Sequence, residues 1–504
     1  MSEENRKTNI QITKTDYLNF RFCRKNLWLQ KNRPDEFGRF SLSEFELELV
    51  KEGQEVDRES QNLFPEGIVV SGSPEKTVLE TKKLLGEHAT IFQGAILHDY
   101  YYIRTDILKW NEKLSGYELY EVKATTKVKT EKFNNHIYDL AFQYCVCKMA
   151  GIRIVKLAVI HLDAEYQKFG EINYDKLFKK EDVTKDVLGI ADEVAQEMSL
   201  MIGYLTGPEE KYCQCRYRTR NDSNHCTTFD YSNPDIPEYA VHDVTRINSK
   251  KLSLLIDNGI LDIKDIPDDF EMSDTQKFQV DAAKRNKPHI DTDAIEQFLK
   301  SLVFPLYFID YESYLPAIPR YDRYHPYQNI VFQYSLHIMD APGGEVRHTE
   351  FLATENREPS ADLVEKMTKD IGRHGTILVW HKPFEMGRNR EMAKLNPTFE
   401  KFLEEINDRV VDLKEVFSKN LFVHPKFCGS ASIKKVMPVL IPELSYKHLA
   451  INNGADANKQ WGKMINGEMT AEEKTETIRN LLTYCKQDTF AMVRIYQYLT
   501  ELFH

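Results

Sequence analysis

Residues 101–126 read YYIRTDILKWNEKLSGYELYEVKATT. Two strand-like runs, 100–108 and 116–124, cover most of this stretch and are rich in aromatic and β-branched residues. Asp106 ends the first run, and Glu121 and Lys123 stand on the second. Side chains alternate along a strand, so Glu121 and Lys123 share one face, roughly 7 Å apart by the ~3.3 Å rise per residue. An ionised carboxylate in a run that otherwise favours burial is costly unless a cation accompanies it. A divalent metal supplies one: Asp106 and Glu121 can bind Mg²⁺ or Mn²⁺ through oxygen, leaving positions for water and a phosphate. Lys123 then orients the water or stabilises charge on the phosphate. The competing reading is a plain Glu–Lys pair on a solvated face beside an unrelated Asp.

Working outward, helices are expected over 14–30 and 42–64, a strand over 90–96, a helix over 137–150 and a strand over 153–161. This mixture predicts a small α/β domain spanning 10–230. On the 137–150 helix, Asp139 and Gln143 lie at i, i+4 on one face, with Tyr144 next. A helical connector follows over 231–300. Within it, LLIDNGILDIKDIPDDF looks like two short helices around a Gly turn, similar to a helix-hairpin-helix. A second α/β domain, 301–504, has strands at 303–311, 329–338, 376–380 and 410–411 and helices at 360–373 and 472–502.

In that second domain, LYFIDYESYLP (306–316) puts Asp310 and Glu312 on one face of an apolar strand. Two close like charges in a buried strand repel unless a metal sits between them. Glu385 follows the 376–380 strand, and Asp412 ends the 410–411 strand. On the last helix, Tyr484 and Asp488 lie at i, i+4. Ser430, Ser432, Lys434 and Lys435 read equally as phosphate contacts or as a helix cap with its solvated first turn. His381 and Lys382 are candidate substrate contacts.

The 504 residues are 41% hydrophobic and 29% charged, the composition of a folded globular chain. The polar N-terminus lacks the apolar core of a signal peptide, and apolar stretches are strand-sized, so a cytoplasmic protein without a membrane span is expected. The net charge of −11 argues mildly against a general nucleic-acid binder. Clustered metal-binding carboxylates, however, lower net charge without excluding a local basic groove. No G-x-x-x-x-G-K-[ST] loop occurs, so any unwinding must come from a helicase partner. Of the eight cysteines, Cys145 and Cys147 lie in an apolar helical run and read as core. Cys213, Cys215 and Cys226 share a polar segment with no apolar periodicity.

Asp106, Glu121-Val122-Lys123 and Gln143-Tyr144 resemble the PD-(D/E)XK nuclease core in its RecB-like branch, which implies a restriction-endonuclease-like fold. That branch often carries an earlier Gly-x-x-x-His; here Gly53 is followed at that spacing by Asp57, a further metal candidate. Some members hold a [4Fe–4S] cluster through one early and three late cysteines, which implies Cys23, Cys213, Cys215 and Cys226 as ligands. Zinc is the alternative, and His225 could replace one ligand. Asp310-x-Glu312 with Tyr484 and Asp488 resembles DnaQ-like (DEDD) exonucleases of RNase H-like fold. This implies two metal ions on Asp310, Glu312 and Asp488, with Glu385 or Asp412 at the family's middle acidic position and Tyr484 placing the attacking water. Residues 425–454, PKFCGSASIKKVMPVLIPELSYKHLAINNG, resemble a poorly characterised domain commonly fused to RecB-like nucleases.

Together these readings predict a Mg²⁺- or Mn²⁺-dependent two-site nuclease acting on single-stranded or end-exposed DNA, with a repair or defence complex as setting. The alternative is a nucleic-acid-binding or scaffold protein in which one site has decayed.

Overall fold

The stretch quoted above forms the middle of a six-stranded sheet. A computed structural model describes residues 11–37, 44–132 and 134–503. The chain divides into two units: one runs to Asp235 and takes back Pro316–Tyr327, the other comprises Ile236–Leu315 and the chain from Gln328.

The first unit opens with α1 (Lys14–Phe22), α2 (Arg24–Asn32) and α3 (Glu44–Ser60). Then come β1 (Ile68–Val69), α4 (Pro74–Gly86), β2 (Ile91–His98), β3 (Tyr101–Asn111) and β4 (Gly116–Lys123). It ends with α5 (His136–Met149), β5 (Ile154–Leu162), β6 (Phe178–Asp182) and α6 (Thr184–Leu205). The six strands lie side by side in chain order. β2, β3 and β4 form an antiparallel meander, whereas β4 and β5 are parallel, as their crossover through α5 requires. Tyr117 and Leu119 of β4 pack under Phe142 and Val146 of α5 and Val194 of α6. Tyr120, pointing the other way, packs with Val56, Phe64 and Ile160. Both faces are therefore covered, which is why β4 carries apolar side chains on both of them, interrupted by Glu118, Glu121 and Lys123. Each fully buried large side chain contributes about 1.5–3 kcal/mol. Ala317 and Ile318 of the returning segment complete the second cluster, and Tyr327 donates to the Ala124 carbonyl at 2.5 Å.

Two expectations need correction here. The helix expected over 14–30 breaks at Cys23, whose extended backbone (φ −153°, ψ 104°) ends α1 and starts α2. α4 and α6 are absent from the expected elements, although Val187, Ala191, Val194, Met198, Met201 and Leu205 form a helical stripe on α6.

The second unit begins with α7 (Ser249–Asp257), α8 (Asp274–Arg285) and α9 (Thr292–Lys300). The helix-hairpin-helix expectation fails in its second half: after the turn at Gly259 (φ +75°) only a single 3₁₀ turn, Ile263–Asp265, forms. Leu252, Leu255, Ile263 and Val280 gather these pieces into one small core, so the expected connector has its own apolar packing. The sheet then comprises β7 (Leu306–Tyr314), β8 (Ile330–Met339), β9 (Val346–Leu352), β10 (Thr376–Val379) and β11 (Val410–Asp412). Their order is β9-β8-β7-β10-β11. β7, β8 and β9 are antiparallel, and β10 and β11 run parallel to β7. The helices are α10 (Ser360–Asp370), α11 (Lys382–Leu395), α12 (Glu400–Asn407), α13 (Ile433–Leu440), α14 (Gly454–Asn466) and α15 (Ala471–Glu501). α15 crosses β7 and β8, tied by Gln333 donating to the Leu481 carbonyl at 2.9 Å. Among the described residues no helix is long and apolar enough to cross a membrane.

Candidate functional site

In the first unit α3, β3, β4 and α5 bring Asp57, Asp106, Glu121, Lys123, Asp139 and Gln143 together. β3–β4 pairing stops at Ile107 and Tyr120, so the Val122 amide is free to donate to Asp106 Oδ2 at 2.7 Å. Glu121 is 1% exposed and accepts from Gln143 Nε2 at 2.6 Å. Lys123 Nζ lies 2.8 Å from Glu121 Oε1 and also pairs with Asp139. A residue the sequence did not flag, Lys14 at the start of α1, forms a second ion pair with Glu121. Burial alone would raise the Glu121 carboxyl, but Lys123 and Lys14 outweigh it and hold it well below the ordinary range. Burial and the Glu121 charge push Asp106 up to about 8 and Asp57 up to about 6. Asp57 Oδ2 accepts from Gln93 Nε2 at 2.9 Å, leaving Asp57 Oδ1 and Gln143 Oε1 buried without a partner. Tyr144 faces away, into a groove with Tyr100, Tyr101 and Met198.

Elsewhere in this unit, Cys23 meets Cys213, Cys215 and Cys226, all buried, with their sulfurs all within 4.8 Å of one another. Cys226 Sγ lies 3.7 Å from Cys23 Sγ and 4.0 Å from Cys213 Sγ. The thiols share their protons through mutual hydrogen bonds, which drive Cys213 far below the ordinary thiol range and Cys215 and Cys226 far above it. Asn233 Nδ2 donates to Cys213 Sγ at 3.2 Å and Arg218 Nη1 to Cys215 Sγ at 3.4 Å. This cluster of four cysteines can hold a metal. His225 packs edge-on against Phe22 instead of joining the sulfurs. Cys145 and Cys147 are core residues, their thiols raised by burial to about 11 and about 12.

The second unit carries a cleft of about 270 Å³ lined by Asp310, Glu312, Glu385, Lys434, Tyr484 and Asp488, with Trp380, His381 and Phe384. β7 supplies the first two carboxylates from adjacent same-face positions. Glu385 sits in the first turn of α11, and Tyr484 and Asp488 stand one turn apart on α15. Burial and repulsion from Asp488 and Glu312 push the Asp310 carboxyl well up, and burial with Asp488 raises Glu312 to about 8. Burial raises Glu385 to about 8 and Asp488 to about 6. Glu385 Oε2 is buried without a partner. Ligand atoms of Asp310, Glu312 and Cys485 lie within 4.8 Å of one another, the only group so placed among the described residues besides the four cysteines. Asp57, Asp106 and Glu121 are not so closely gathered.

The two candidates for the middle acidic position separate. Asp412 accepts the Lys382 and Lys414 amides, each at 3.0 Å, and serves as a turn cap outside the cleft lining, where Glu385 stands. Lys382 Nζ donates to the Val410 carbonyl at 2.8 Å, so of His381 and Lys382 only His381 reaches the cleft. Of the 430–435 group, Lys434 lines it, with Nζ 5.7 Å from the ring centres of both Tyr446 and Tyr484 and 2.8 Å from the Asn452 carbonyl. Ser430 Oγ is used locally, accepting from the Ser432 amide at 3.2 Å. Tyr446, which no motif singled out, donates its hydroxyl to Asp488 Oδ1.

Residues 307–432 match a family model described as a domain of unknown function (DUF2779). The chain is 27% identical over 287 residues to the uncharacterized protein UU173 of Ureaplasma parvum, covering 52% of this chain and 41% of that protein. It is 25% identical over 215 residues to the uncharacterized protein MG366 of Mycoplasma genitalium, covering 39% of this chain and 32% of that protein. The chain thus spans less than half the length of either relative.

Proposed function

We propose that this chain is a divalent-metal-dependent nuclease with its principal active site in the second-unit cleft and a second site around Glu121. The observation that carries the reading is electrostatic. Asp310, Glu312, Glu385 and Asp488 line one cleft, all driven toward their neutral forms, with Lys434 as its only lysine or arginine. Such a donor set, oxygen-rich and short of positive charge, fits Mg²⁺ or Mn²⁺. When bound, these ions neutralise a phosphate and lower the pKa of water. Asp310, Glu312 and Asp488 are the ligands, with Glu385 at the middle position. Tyr484 orients the attacking water, Tyr446 fixes the Asp488 carboxylate, and Lys434 holds a phosphate oxygen. A sheet ordered β9-β8-β7-β10-β11 with β7 central supports the RNase H-like, DnaQ-like reading.

For the first unit, Asp106, Glu121 and Lys123 on adjacent strands, followed by the α5 crossover, support the RecB-like PD-(D/E)XK reading. One observation favours a decayed nuclease there: Lys14 and Lys123 already neutralise Glu121. In that second reading the first unit binds nucleic acid and the second cuts it. The RecB-like resemblance favours single-stranded or end-exposed DNA, with a helicase as partner and a cytoplasmic repair or defence setting.

End-labelled single- and double-stranded DNA and RNA, incubated with Mn²⁺ or chelator, test the proposal. Metal-dependent shortening that disappears in Asp310→Ala is expected. Undiminished cleavage in an Asp310→Ala, Glu121→Ala double variant would remove both sites from consideration.

A further inference from the structure

The four-cysteine centre of the first unit carries an inference independent of the nuclease reading. Its ligands come from two places far apart in the chain: the break between α1 and α2, and the segment 213–226. Each sulfur is buried, and all four lie within 4.8 Å of one another, with individual separations of 3.7 and 4.0 Å. Four thiolates placed tetrahedrally around one ion at the zinc–sulfur bond length of ~2.3 Å stand about 3.8 Å apart. In a four-iron cube each thiolate binds a different iron, so the sulfurs are held apart by the cube itself and cannot approach this closely. The space enclosed by Cys23, Cys213, Cys215 and Cys226 therefore fits a single ion and is too small for the cluster that the sequence resemblance implies.

We infer that this centre holds one tetrahedral zinc ion bound by Cys23, Cys213, Cys215 and Cys226, in place of a [4Fe–4S] cluster. Side-chain N–H groups of Asn233 and Arg218 point at two of the sulfurs, the outer-shell donors that stabilise thiolate charge around a metal. The ligand set is closed, with no carboxylate or His in it and no position left for water, so the ion is structural. It ties the α1–α2 junction, and with it Lys14, to the end of the unit. Because zinc itself has no redox chemistry, the tie does not depend on any change in the ion's oxidation state.

The test is metal and sulfide analysis of the full chain, purified both anaerobically and in air from iron-supplemented cells. One zinc per chain, with neither iron nor acid-labile sulfide, and a colourless protein are expected in both preparations. About four irons and four sulfides per chain with a brown colour would overturn the inference. So would a chain that holds neither metal. A second measurement replaces the native metal with Co²⁺: the intense visible bands of a tetrahedral cobalt tetrathiolate are expected, and an octahedral, nearly colourless spectrum counts against the site. Cys215→Ser should shift those bands to the blue as one thiolate is lost, and unshifted bands would place the metal elsewhere.

Discussion

The two carboxylate sites carry similar motifs and solve the same electrostatic problem in opposite ways. Around Glu121, Lys14 and Lys123 stand among Asp57, Asp106, Glu121 and Asp139, and the central carboxylate stays ionised because lysines reach it. Around Asp310, Lys434 is the one lysine lining the cleft with Asp310, Glu312, Glu385 and Asp488; Arg388 and Lys414 act on Glu385 from outside that lining, and the carboxyls still rise toward neutrality. A buried charge must find a counter-charge or give up its ionisation. Glu121 has found its partners within the chain, although Asp106 beside it still rises to about 8; on the proposed reading, the second-unit carboxylates take theirs as a cation from solution. Lys123 belongs to the first motif itself, and Lys14 reaches Glu121 from elsewhere in the chain to complete the difference.

The strongest way to break this comparison is at Asp310. Asp310→Asn should lower cleavage by ~10³-fold or more, the scale of losing metal-assisted charge stabilisation. In chelator the same variant should be more stable than the parent by about 1–2 kcal/mol, since a repelled buried carboxyl has gone. Loss of both activity and stability would refute the assignment. Glu121→Gln should instead destabilise: Lys14 loses the carboxylate it pairs with while Lys123 keeps Asp139, at a cost of about 3 kcal/mol in denaturant melts.

The pH response sharpens the contrast. In metal-free protein Glu312 and Glu385 titrate at about 8 and Asp488 at about 6, all above their unfolded values. Their contribution to stability is therefore fully present below about pH 4 and is lost as pH rises through 6 to 8. Thermal melts across that window should fall in chelator and flatten with Mn²⁺. A smaller effect is expected from Tyr446→Phe, which frees Asp488 and should weaken Mn²⁺ binding about 10–100-fold by calorimetry. Smallest is Lys434→Ala, which should reduce the slope of log affinity against log salt by about 1 for a DNA oligonucleotide.

Much of this arrangement was legible in the sequence. β3, β4, α5, β7, β8 and α15 fall within a few residues of their expected bounds, because long apolar periods leave little choice. Asp310, Glu312, Tyr484 and Asp488 were readable because same-face spacing on one strand or one helix is a local property. Lys14 and Tyr446 were not: each enters its site from a segment whose own pattern is ordinary, through packing that no spacing rule encodes, while Cys485 stands beside Tyr484 on the motif helix itself. The choice between Glu385 and Asp412 was likewise open, since only the fold shows that two backbone amides cap Asp412. Helix α6, by contrast, was readable and missed: its six buried apolar residues recur at the three- and four-residue spacing of an amphipathic helix.

The returning segment Pro316–Tyr327 has a practical consequence for anyone dividing this chain. The last strand residue before it and the first after it belong to the second unit, while Ala317 and Ile318 fill the first unit's core. No single cut yields two intact halves. A fragment ending at Asp235 would keep its sheet and its cysteines yet expose an apolar hollow beside Val56 and Phe64, inviting aggregation. Supplying residues 316–327 through a short fused linker is the rational way to express the first unit alone.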